Sequence, residues 1–325
     1  MANTLKAFIH FGVLTIAMLA QPAFAQDQDF PSWLQNLEQE SIASGISSEA
    51  VHSALDNVLL DERVLELDSK QPETTATFES YVAHTVSAER LNEGRDLLEV
   101  NADILHDISR EYGVPPQIIV ALWGIESSFG HFTGNYEVID SLVSLAYQGR
   151  RANFFRGQVM DALRILDRDH LTPDELRGSW AGAMGQCQFM PSTYLKYAVD
   201  YDHDGRRDIW TNNADIFASI ANYLASEGWS SGLGWGREVE LEEEVDPADV
   251  GLDHKKTMAE WTEAGLRNLD RTPLPRSDLE ASLVQPDGPT GRSFLVTDNY
   301  RALMRWNRST YFATAVGLLA DGINR

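Results

Sequence analysis

The stretch "PPQIIVALWGIESSFG", residues 115–130, predicts a helix of the protein core. Pro115 and Pro116 suit a helix start, because the first helical positions need no N–H donor, and the glycine at position 130 suits its end. Apolar residues recur between them at helical spacing and define one face, made of Ile118, Ile119, Leu122, Ile125 and Phe129. Glu126 falls on that same face, so the pattern places a carboxylate where a core residue is expected.

A carboxyl group on an apolar helix face is suited to acid catalysis. Removal from water disfavours its charged form and raises its pKa, and a general acid needs a raised pKa near neutral pH. The alternative is a buried glutamate held by a structural partner. Ser127, Ser128 and Gly130 make the helix end small and open to a ligand, which favours the functional interpretation.

The composition limits the class of protein. A chain of 325 residues, 43% of them hydrophobic, can bury a sizeable core in one to three domains. The net charge of -23 argues against a nucleic-acid partner, because phosphate binding requires clustered lysine and arginine. The acidic residues are spread along the chain, as in a well-solvated surface.

The N-terminal segment predicts export. Residues 1–25, "MANTLKAFIHFGVLTIAMLAQPAFA", contain one lysine, a short apolar run and a small-x-small site at their end, as in a secretory signal peptide. The alternative, a retained anchor, is disfavoured because the apolar run is too short to span a bilayer. Cys187 is the only cysteine, so we expect no disulfide and no lipid-bearing cysteine at the cleavage site.

The pattern along the chain predicts a mainly α (α+β) fold. Helical patterns dominate residues 26–104 and 105–235, and helix returns over residues 297–325. Between them, "REVELEEEV" alternates, and "ASLVQPDGPTGRSFLV" predicts two short strands around a turn. We therefore predict a helical N-terminal domain, a core formed by 105–235 with 297–325, and a small β domain at 236–296.

A glycine-rich segment, "GSWAGAMGQCQFMPSTY", follows at residues 178–194. Small residues at this density allow the backbone to come close to a ligand or another chain segment. The segment also holds side chains that suit hydrogen bonding and stacking with sugars, namely Ser179, Trp180, Gln188 and Tyr194. We predict a binding wall for a sugar, and the alternative is a tight structural turn.

An acidic loop then copies the spacing of a calcium-binding loop. Its positions 1, 3, 5 and 6 are Asp200, Asp202, Asp204 and Gly205. Arg206 would offer its carbonyl at position 7, and Asp208 lies at position 9. Position 12 is Thr211, so Asp215 of the next predicted helix is expected to supply the missing carboxylate. We predict one structural Ca2+, and the alternative is a solvated acidic turn.

Several motifs in order resemble the membrane-bound lytic murein transglycosylase B family over roughly residues 30 to 322. They are "WGIESSFG", "GRRANFF", "GSWAGAMGQCQFMPSTY", "AVDYDHDGRRDIW", "ASIANYL" and "WNRSTYFATAV". The resemblance implies a lysozyme-like core in the periplasm that acts on peptidoglycan glycan strands. It implies cleavage of the β-1,4 bond between N-acetylmuramic acid and N-acetylglucosamine with 1,6-anhydromuramoyl products, and cell-wall synthesis or division proteins as candidate partners.

The resemblance also assigns roles to residues at matching motifs. Glu126 matches the catalytic acid/base. The substrate-binding residues it implies are Arg150, Arg151, Ser179, Gln188, Tyr223, Trp306 and Phe312. The calcium ligands it implies are Asp200, Asp202, Asp204, Asp215 and the carbonyl of Arg206.

The chain departs from the family pattern in three respects. Some members have serine where this chain has Asp202, and family tyrosines align with Trp306 and Phe312, so two hydroxyls are lost. The lipid-bearing cysteine of the prototype is missing, which implies a soluble form.

The resemblance implies a mechanism that needs one carboxylate. Glu126 would protonate the glycosidic oxygen and then deprotonate the muramoyl 6-hydroxyl as it attacks the anomeric carbon. A hydrolase normally needs a second carboxylate, and none stands out beside the motif. The competing hypotheses are a true hydrolase of lysozyme type and a non-catalytic peptidoglycan-binding protein.

Overall fold

The computed structural model describes residues 29–70 and 77–325 of the chain, so the predicted signal peptide lies outside the described residues. The described residues form fourteen α-helices and seven strands, which confirms the mainly α (α+β) fold. The helices are α1 (Phe30–Ala43), α2 (Ser48–Leu55), α3 (Glu62–Ser69), α4 (Phe78–Thr85), α5 (Ala88–Val100), α6 (Ala102–Tyr112), α7 (Pro116–Ser127), α8 (Val138–Gln148), α9 (Ala152–Asp169), α10 (Pro191–Tyr197), α11 (Asn213–Ser226), α12 (Met258–Glu263), α13 (Asp298–Trp306) and α14 (Thr310–Ile323). The strands are β1 (Tyr136–Glu137), β2 (Arg177–Gly178), β3 (Gly236–Leu241), β4 (Lys256–Thr257), β5 (Leu266–Arg267), β6 (Glu280–Val284) and β7 (Ser293–Val296).

Two compact units account for the described residues. We call residues 29–70 with 126–222 the loop unit, because they contain the acidic loop, and residues 77–125 with 223–325 the sheet unit. The division into three domains that the sequence suggests stays a prediction. In the described parts of the chain, no helix combines the length and apolarity that crossing a membrane requires.

The loop unit is built around α8 and α9, which pack against each other. Helix α8 is buried from Val138 to Tyr147, whereas α9 buries a stripe that includes Phe155, Val159 and Leu163. The strands β1 and β2 form a short antiparallel pair in which Tyr136 faces Gly178. This pair brings the start of the glycine-rich segment to the N-terminus of α8.

The sheet unit contains a five-stranded antiparallel sheet in the order β4-β6-β7-β3-β5. The predicted strand pair is confirmed, since β6 pairs with β7 and Leu283 lies opposite Leu295. Trp261 of α12 is fully buried in the sheet core, and its indole N–H donates to the Ala281 carbonyl at 2.9 Å. The core residues around it are Val239, Met258, Leu266, Leu274, Ala281, Leu283 and Leu295.

Helix α7 begins as the proline pair predicts, but it ends earlier than expected. It stops at Ser127, and Ser128 and Phe129 adopt left-handed φ angles of 48° and 57°. The side chain of Ser127 explains this end, because its hydroxyl accepts the Gly130 N–H at 3.0 Å. The prediction that Phe129 belongs to a helical face is therefore wrong, and residues 118–124 are buried all round rather than along one stripe.

Candidate active site and acidic loop

Glu126 lies in the last turn of α7 and is partly buried. The three residues Ser128, Phe129 and Gly130 that follow the helix all have left-handed φ. Such angles are costly for side chains other than glycine, and they persist only where the surroundings hold them. Gly130 has a φ of 88°, which favours glycine, and a Cβ there would displace the end of the Gln186 side chain. The backbone just after the carboxylate is thus fixed in an unusual turn.

The glycine-rich segment forms a folded wall, which we define as residues 178–189. Ser179 and Ala183 exchange two bonds across a turn: the Ser179 N–H donates to the Ala183 carbonyl at 2.8 Å, and the Ala183 N–H donates to the Ser179 hydroxyl at 3.1 Å. Ser179 is 2% exposed. The structure therefore uses this hydroxyl to shape the wall, and its predicted sugar contact stays a prediction.

Gln188 connects the wall to the chain segment just beyond the turn that follows Glu126. Its side-chain NH2 donates to the carbonyls of Thr133 at 3.0 Å and Gly185 at 2.8 Å. The backbone of Gln188 is itself left-handed, with φ at 51°. Among the described residues, its buried side-chain oxygen meets no hydrogen-bond donor. Buried acceptors of this kind are rare and often mark strain or function, so Gln188 joins Glu126 and its turn as a site residue.

Cys187, the one cysteine of the chain, lies in the interior of the loop unit. It is fully buried, and its Sγ is 3.6 Å from the Ile216 carbonyl oxygen. Burial raises the pKa of the Cys187 thiol, and the carboxylates of Glu126 and Asp215 raise this pKa further. The thiol therefore stays protonated and supplies no nucleophile to the site.

The two predicted substrate-binding arginines, Arg150 and Arg151, make different contacts. The Arg150 N–H donates to the Asp68 carboxylate at 3.0 Å, and its guanidinium also contacts Asp68. The Arg151 guanidinium lies over the rings of Phe154 and Phe155, with 5.4 and 5.1 Å from its central carbon to the ring centroids. A stacked guanidinium keeps its N–H edge for a carboxylate or a sugar oxygen. Both arginines are exposed, as a substrate contact requires.

The acidic loop gathers three of the predicted ligands. Carboxylate oxygens of Asp200, Asp202 and Asp204 all lie within 4.8 Å of one another. Calcium binds oxygens at about 2.3–2.6 Å, so oxygens on opposite sides of one ion lie about 5 Å apart. The Asp204 and Gly205 N–H groups donate to Asp200 at 3.1 and 3.0 Å and hold the loop closed. The donor chemistry and spacing therefore fit a calcium ion.

Asp215 lies outside this cluster of carboxylates. It is fully buried, and its two oxygens accept the N–H groups of Tyr201 and Asp208, each at 2.7 Å. Burial raises the pKa of Asp215, while these two hydrogen bonds oppose the rise. In the structure, Asp215 holds both ends of the acidic loop together through their backbone. The Arg206 side chain points to another partner, Glu175 at 2.9 Å, and its own N–H donates to Asp204.

The acidic loop is bonded directly to the wall. The Gln186 N–H donates to the Ile209 carbonyl at 2.8 Å, and its side-chain NH2 donates to the Trp210 carbonyl at 2.6 Å. Tyr194 anchors the same loop, because its hydroxyl bonds to Asp169 and to the Arg207 carbonyl. Tyr194 is fully buried, so the prediction that it offers a sugar contact is wrong.

Three predicted substrate residues belong to the sheet unit. The rings of Tyr223 and Trp306 meet edge to face, with centroids 4.6 Å apart at 63°, an arrangement that aromatic pairs prefer. Phe312 is only 4% exposed and packs in the interior. The structure thus brings Tyr223 and Trp306 together and leaves Phe312 with little surface for stacking.

Sequence reasoning missed two residues that position this site. Asp68 pairs with Arg150 from 82 positions away, and no local pattern announces such a pair. Gln186 lies inside the glycine-rich segment, where a polar residue next to Gly185 was a usable signal. The hydrogen bonds from its backbone N–H and its side-chain NH2 explain how the wall and the acidic loop keep their relative positions.

Comparison with known proteins shows which family has this architecture. The family model described as "Transglycosylase SLT domain" matches residues 29–321. Membrane-bound lytic murein transglycosylase B of Escherichia coli K12 is 34% identical over 223 residues, which are 68% of this chain and only 60% of that protein.

Two solved structures are similar over most of the chain. SltB3 from Pseudomonas aeruginosa, in complex with NAG-anhNAM-pentapeptide, has a TM-score of 0.88 and 41% identity over 91% of this chain and 80% of its own. The Escherichia coli lytic transglycosylase Slt35, in complex with calcium, has a TM-score of 0.76 and 29% identity over 90% of this chain and 92% of its own. The chain therefore belongs to the lytic murein transglycosylase B family.

Proposed function

We propose that the protein is a lytic transglycosylase that cleaves the β-1,4 bond between N-acetylmuramic acid and N-acetylglucosamine in peptidoglycan. The observation that carries the proposal is the placement of Glu126 just before a strained turn that packs on Gln186 of the wall at Gly130, while Gln188 holds the segment beyond the turn at Thr133. Rigid placement of one reacting group is what acid catalysis needs. The relative SltB3, which was solved with a glycan-peptide bound, supports the same substrate class.

In the proposed mechanism, Glu126 acts first as acid and then as base. It protonates the glycosidic oxygen and then takes the proton of the muramoyl 6-hydroxyl as that oxygen attacks the anomeric carbon. Cleavage forms a 1,6-anhydro ring and consumes no water. A well-placed intramolecular nucleophile reaches an effective concentration of about 10⁵ M or more, against about 55 M for liquid water, so the 6-hydroxyl wins where the sugar is held firmly.

Arginines and aromatic residues are proposed to hold the substrate. Arg150 and Arg151 are exposed, and the stacked guanidinium of Arg151 presents its N–H edge to sugar or peptide oxygens. Tyr223 and Trp306, whose rings meet edge to face, are the proposed aromatic contacts from the sheet unit. In this proposal, Ser179 and Gln188 act mainly by fixing the wall, because their hydrogen bonds run to backbone groups of the loop unit.

A structural calcium ion is proposed for the acidic loop. Asp200, Asp202 and Asp204 would supply carboxylate oxygens and Arg206 its carbonyl. Asp215 would support the loop through the backbone bonds that it accepts. The ion would supply charge neutralisation and rigidity, and the bonds of Gln186 would pass that rigidity to the wall. The relative Slt35 was solved with calcium.

The proposed site of action is the periplasm. The support is the predicted signal peptide at residues 1–25, which lies outside the described residues. Cell-wall synthesis or division proteins remain predicted partners.

The substitution Glu126→Gln tests the proposed role of the carboxylate. It keeps the shape of the side chain and removes the transferable proton, so release of soluble fragments from purified peptidoglycan should fall by about 10²–10⁴-fold. The melting temperature should stay that of the wild type. Glu111→Gln, an exposed glutamate with the same change in charge, is the control and should keep full activity. A folded Glu126→Gln protein with near wild-type activity would refute the assignment.

A further inference from the structure

A basic pocket lies within the sheet unit of this acidic protein. Its volume is about 650 Å³. Three arginines and one glutamate line it, although acidic residues outnumber basic ones by 49 to 26 in the whole chain. The lining residues are Tyr223, Glu227, Leu252, Arg301, Met304, Arg305 and Arg308. A local excess of positive charge on such a background attracts an anion.

Backbone carbonyls hold two of these arginines in place. Arg301 donates to the Leu252 carbonyl, and Arg305 donates to the Glu227 carbonyl at 2.6 Å. Arg301 and Lys255 both donate to the Asp298 carboxylate, at 3.0 and 2.6 Å. The Arg305 guanidinium also lies 3.7 Å from the Glu227 carboxylate. These contacts order both side chains before any ligand arrives, and the carboxylates offset part of their charge.

The third arginine has no such partner. Arg308 follows α13 by two residues and is exposed. Across residues 29–70 and 77–325, it makes no ion pair or hydrogen bond through its guanidinium. The planar fork of an arginine matches a carboxylate with two parallel N–H bonds. Arg308 is therefore the member of the pocket that keeps its donors for a ligand.

We propose that this pocket binds a carboxylate of the peptide stem carried by the glycan substrate. The inference rests on the proposed function. Tyr223 links the two sites, because it is one of the residues that line the pocket and its ring meets Trp306, the partner in the proposed glycan contact. An anion bound beside Tyr223 would thus belong to a group attached to the sugar. Peptide stems carry free carboxylates, whereas N-acetylglucosamine is neutral and the lactyl carboxyl of N-acetylmuramic acid is consumed in the amide bond to the stem.

Equilibrium binding tests this proposal without turnover. Calorimetry in a Glu126→Gln background compares two probes: NAG-NAM-pentapeptide, and a NAG-NAM disaccharide without peptide whose lactyl carboxyl is capped as a neutral methylamide. Arg308→Gln should weaken binding of the peptide-bearing probe by about two- to fivefold, the range expected for an exposed charge pair, and leave the disaccharide unchanged. Arg276→Gln, an exposed arginine outside the pocket, makes the same change in charge and should alter neither.

The possible outcomes separate this inference from the proposed function. Equal effects of Arg308→Gln on both probes, or no effect on either, overturn the stem-peptide site while leaving the glycan assignment intact. Inorganic phosphate should compete weakly and only with the peptide-bearing probe. If phosphate binds as tightly as that probe, the pocket is a site for free anions and the proposal is wrong. Failure of the parent protein to bind either probe would refute the proposed function itself.

Discussion

Two regions of the molecule are held together by different forces. The wall at residues 178–189 and the acidic loop depend on side chains that bond to backbone groups, as Gln186, Gln188 and Asp215 show. The sheet of the other unit depends on apolar burial around Trp261. Hydrogen bonds fix direction and distance, whereas apolar contacts supply free energy with little directionality.

The difference indicates which region serves chemistry and which serves stability. The wall and its turn contain left-handed residues other than glycine, including Ser128, Phe129 and Gln188. Such residues cost free energy and are kept where a geometry is required. In residues 236–296, Arg271 is the single residue other than glycine with a left-handed φ, and it lies in a loop. Changes to the wall should therefore alter activity more than stability, and changes to the sheet core should do the reverse.

The largest expected change in stability is in the sheet core. Trp261→Ala removes a fully buried ring and its bond to the Ala281 carbonyl. The free energy of unfolding should fall by about 3–5 kcal/mol, measured by denaturant titration. Leu269→Ala, at an exposed position of the same unit, should change it by less than about 0.5 kcal/mol. A calcium-induced rise in melting temperature should persist in Trp261→Ala. Its disappearance would mean that the two regions are not held independently.

The second largest change in stability is expected from calcium, which should stabilise the native state by binding to the acidic loop. A ligand that binds only the native state adds about 2.7 kcal/mol when its free concentration is about 100 times Kd. Added calcium should therefore raise the melting temperature, and a chelator should reverse the rise. Asp202→Asn should abolish most of this response, and Asp253→Asn, an exposed control with the same change in charge, should keep it. An unchanged response in Asp202→Asn would exclude the proposed ligand set.

A smaller effect on stability is expected from the titration of Asp140, which lies near the start of α8 in the loop unit. Burial, followed by the nearby Glu137 and Asp61 charges, raises the pKa of Asp140 from 3.8 to about 6. The native state then holds this proton more tightly than the unfolded chain does. Stability contributed by the protonated form is therefore lost as the pH rises through 3.8 to about 6.

The substitution Asp140→Asn tests whether the charged Asp140 carboxylate lowers the stability of the native state. It should raise the melting temperature at pH 7, where the native carboxylate is charged at a cost, and have little effect at pH 3.5 or below, where the group is protonated in both states. Asp103→Asn, at an exposed aspartate in the first turn of α6, is the matched control and should show no such gain at pH 7. A lower melting temperature of Asp140→Asn at pH 7 would contradict the prediction.

Local patterns predicted the regular elements well. The proline pair predicted the start of α7, and alternation predicted β3. A Pro/Gly-rich turn between two short apolar runs predicted β6 and β7. The spacing of Asp200, Asp202 and Asp204 alone predicted that their carboxylates cluster in one loop. These features depend on neighbours within a few residues, so sequence carries their signal directly.

The features that sequence did not predict depend on distant partners. The end of α7 moved to Ser127 because the following residues take strained angles that a surrounding wall supports. Asp215 bonds to two backbone N–H groups of the acidic loop instead of joining the cluster. Tyr194 faces inward to Asp169 and Arg207. A residue type shows what a side chain is able to do, and tertiary packing decides in which direction it points.

The central claim is that one carboxylate suffices because the substrate supplies its own nucleophile. Mass analysis of the fragments released from purified peptidoglycan by the wild-type protein tests it most directly. Muropeptides that end in 1,6-anhydromuramic acid, lighter by one water than lysozyme products and without a reducing end at muramic acid, are the predicted result. Mainly reducing-end products would show that water attacks, and the protein would then be a hydrolase for which Glu126 alone does not account.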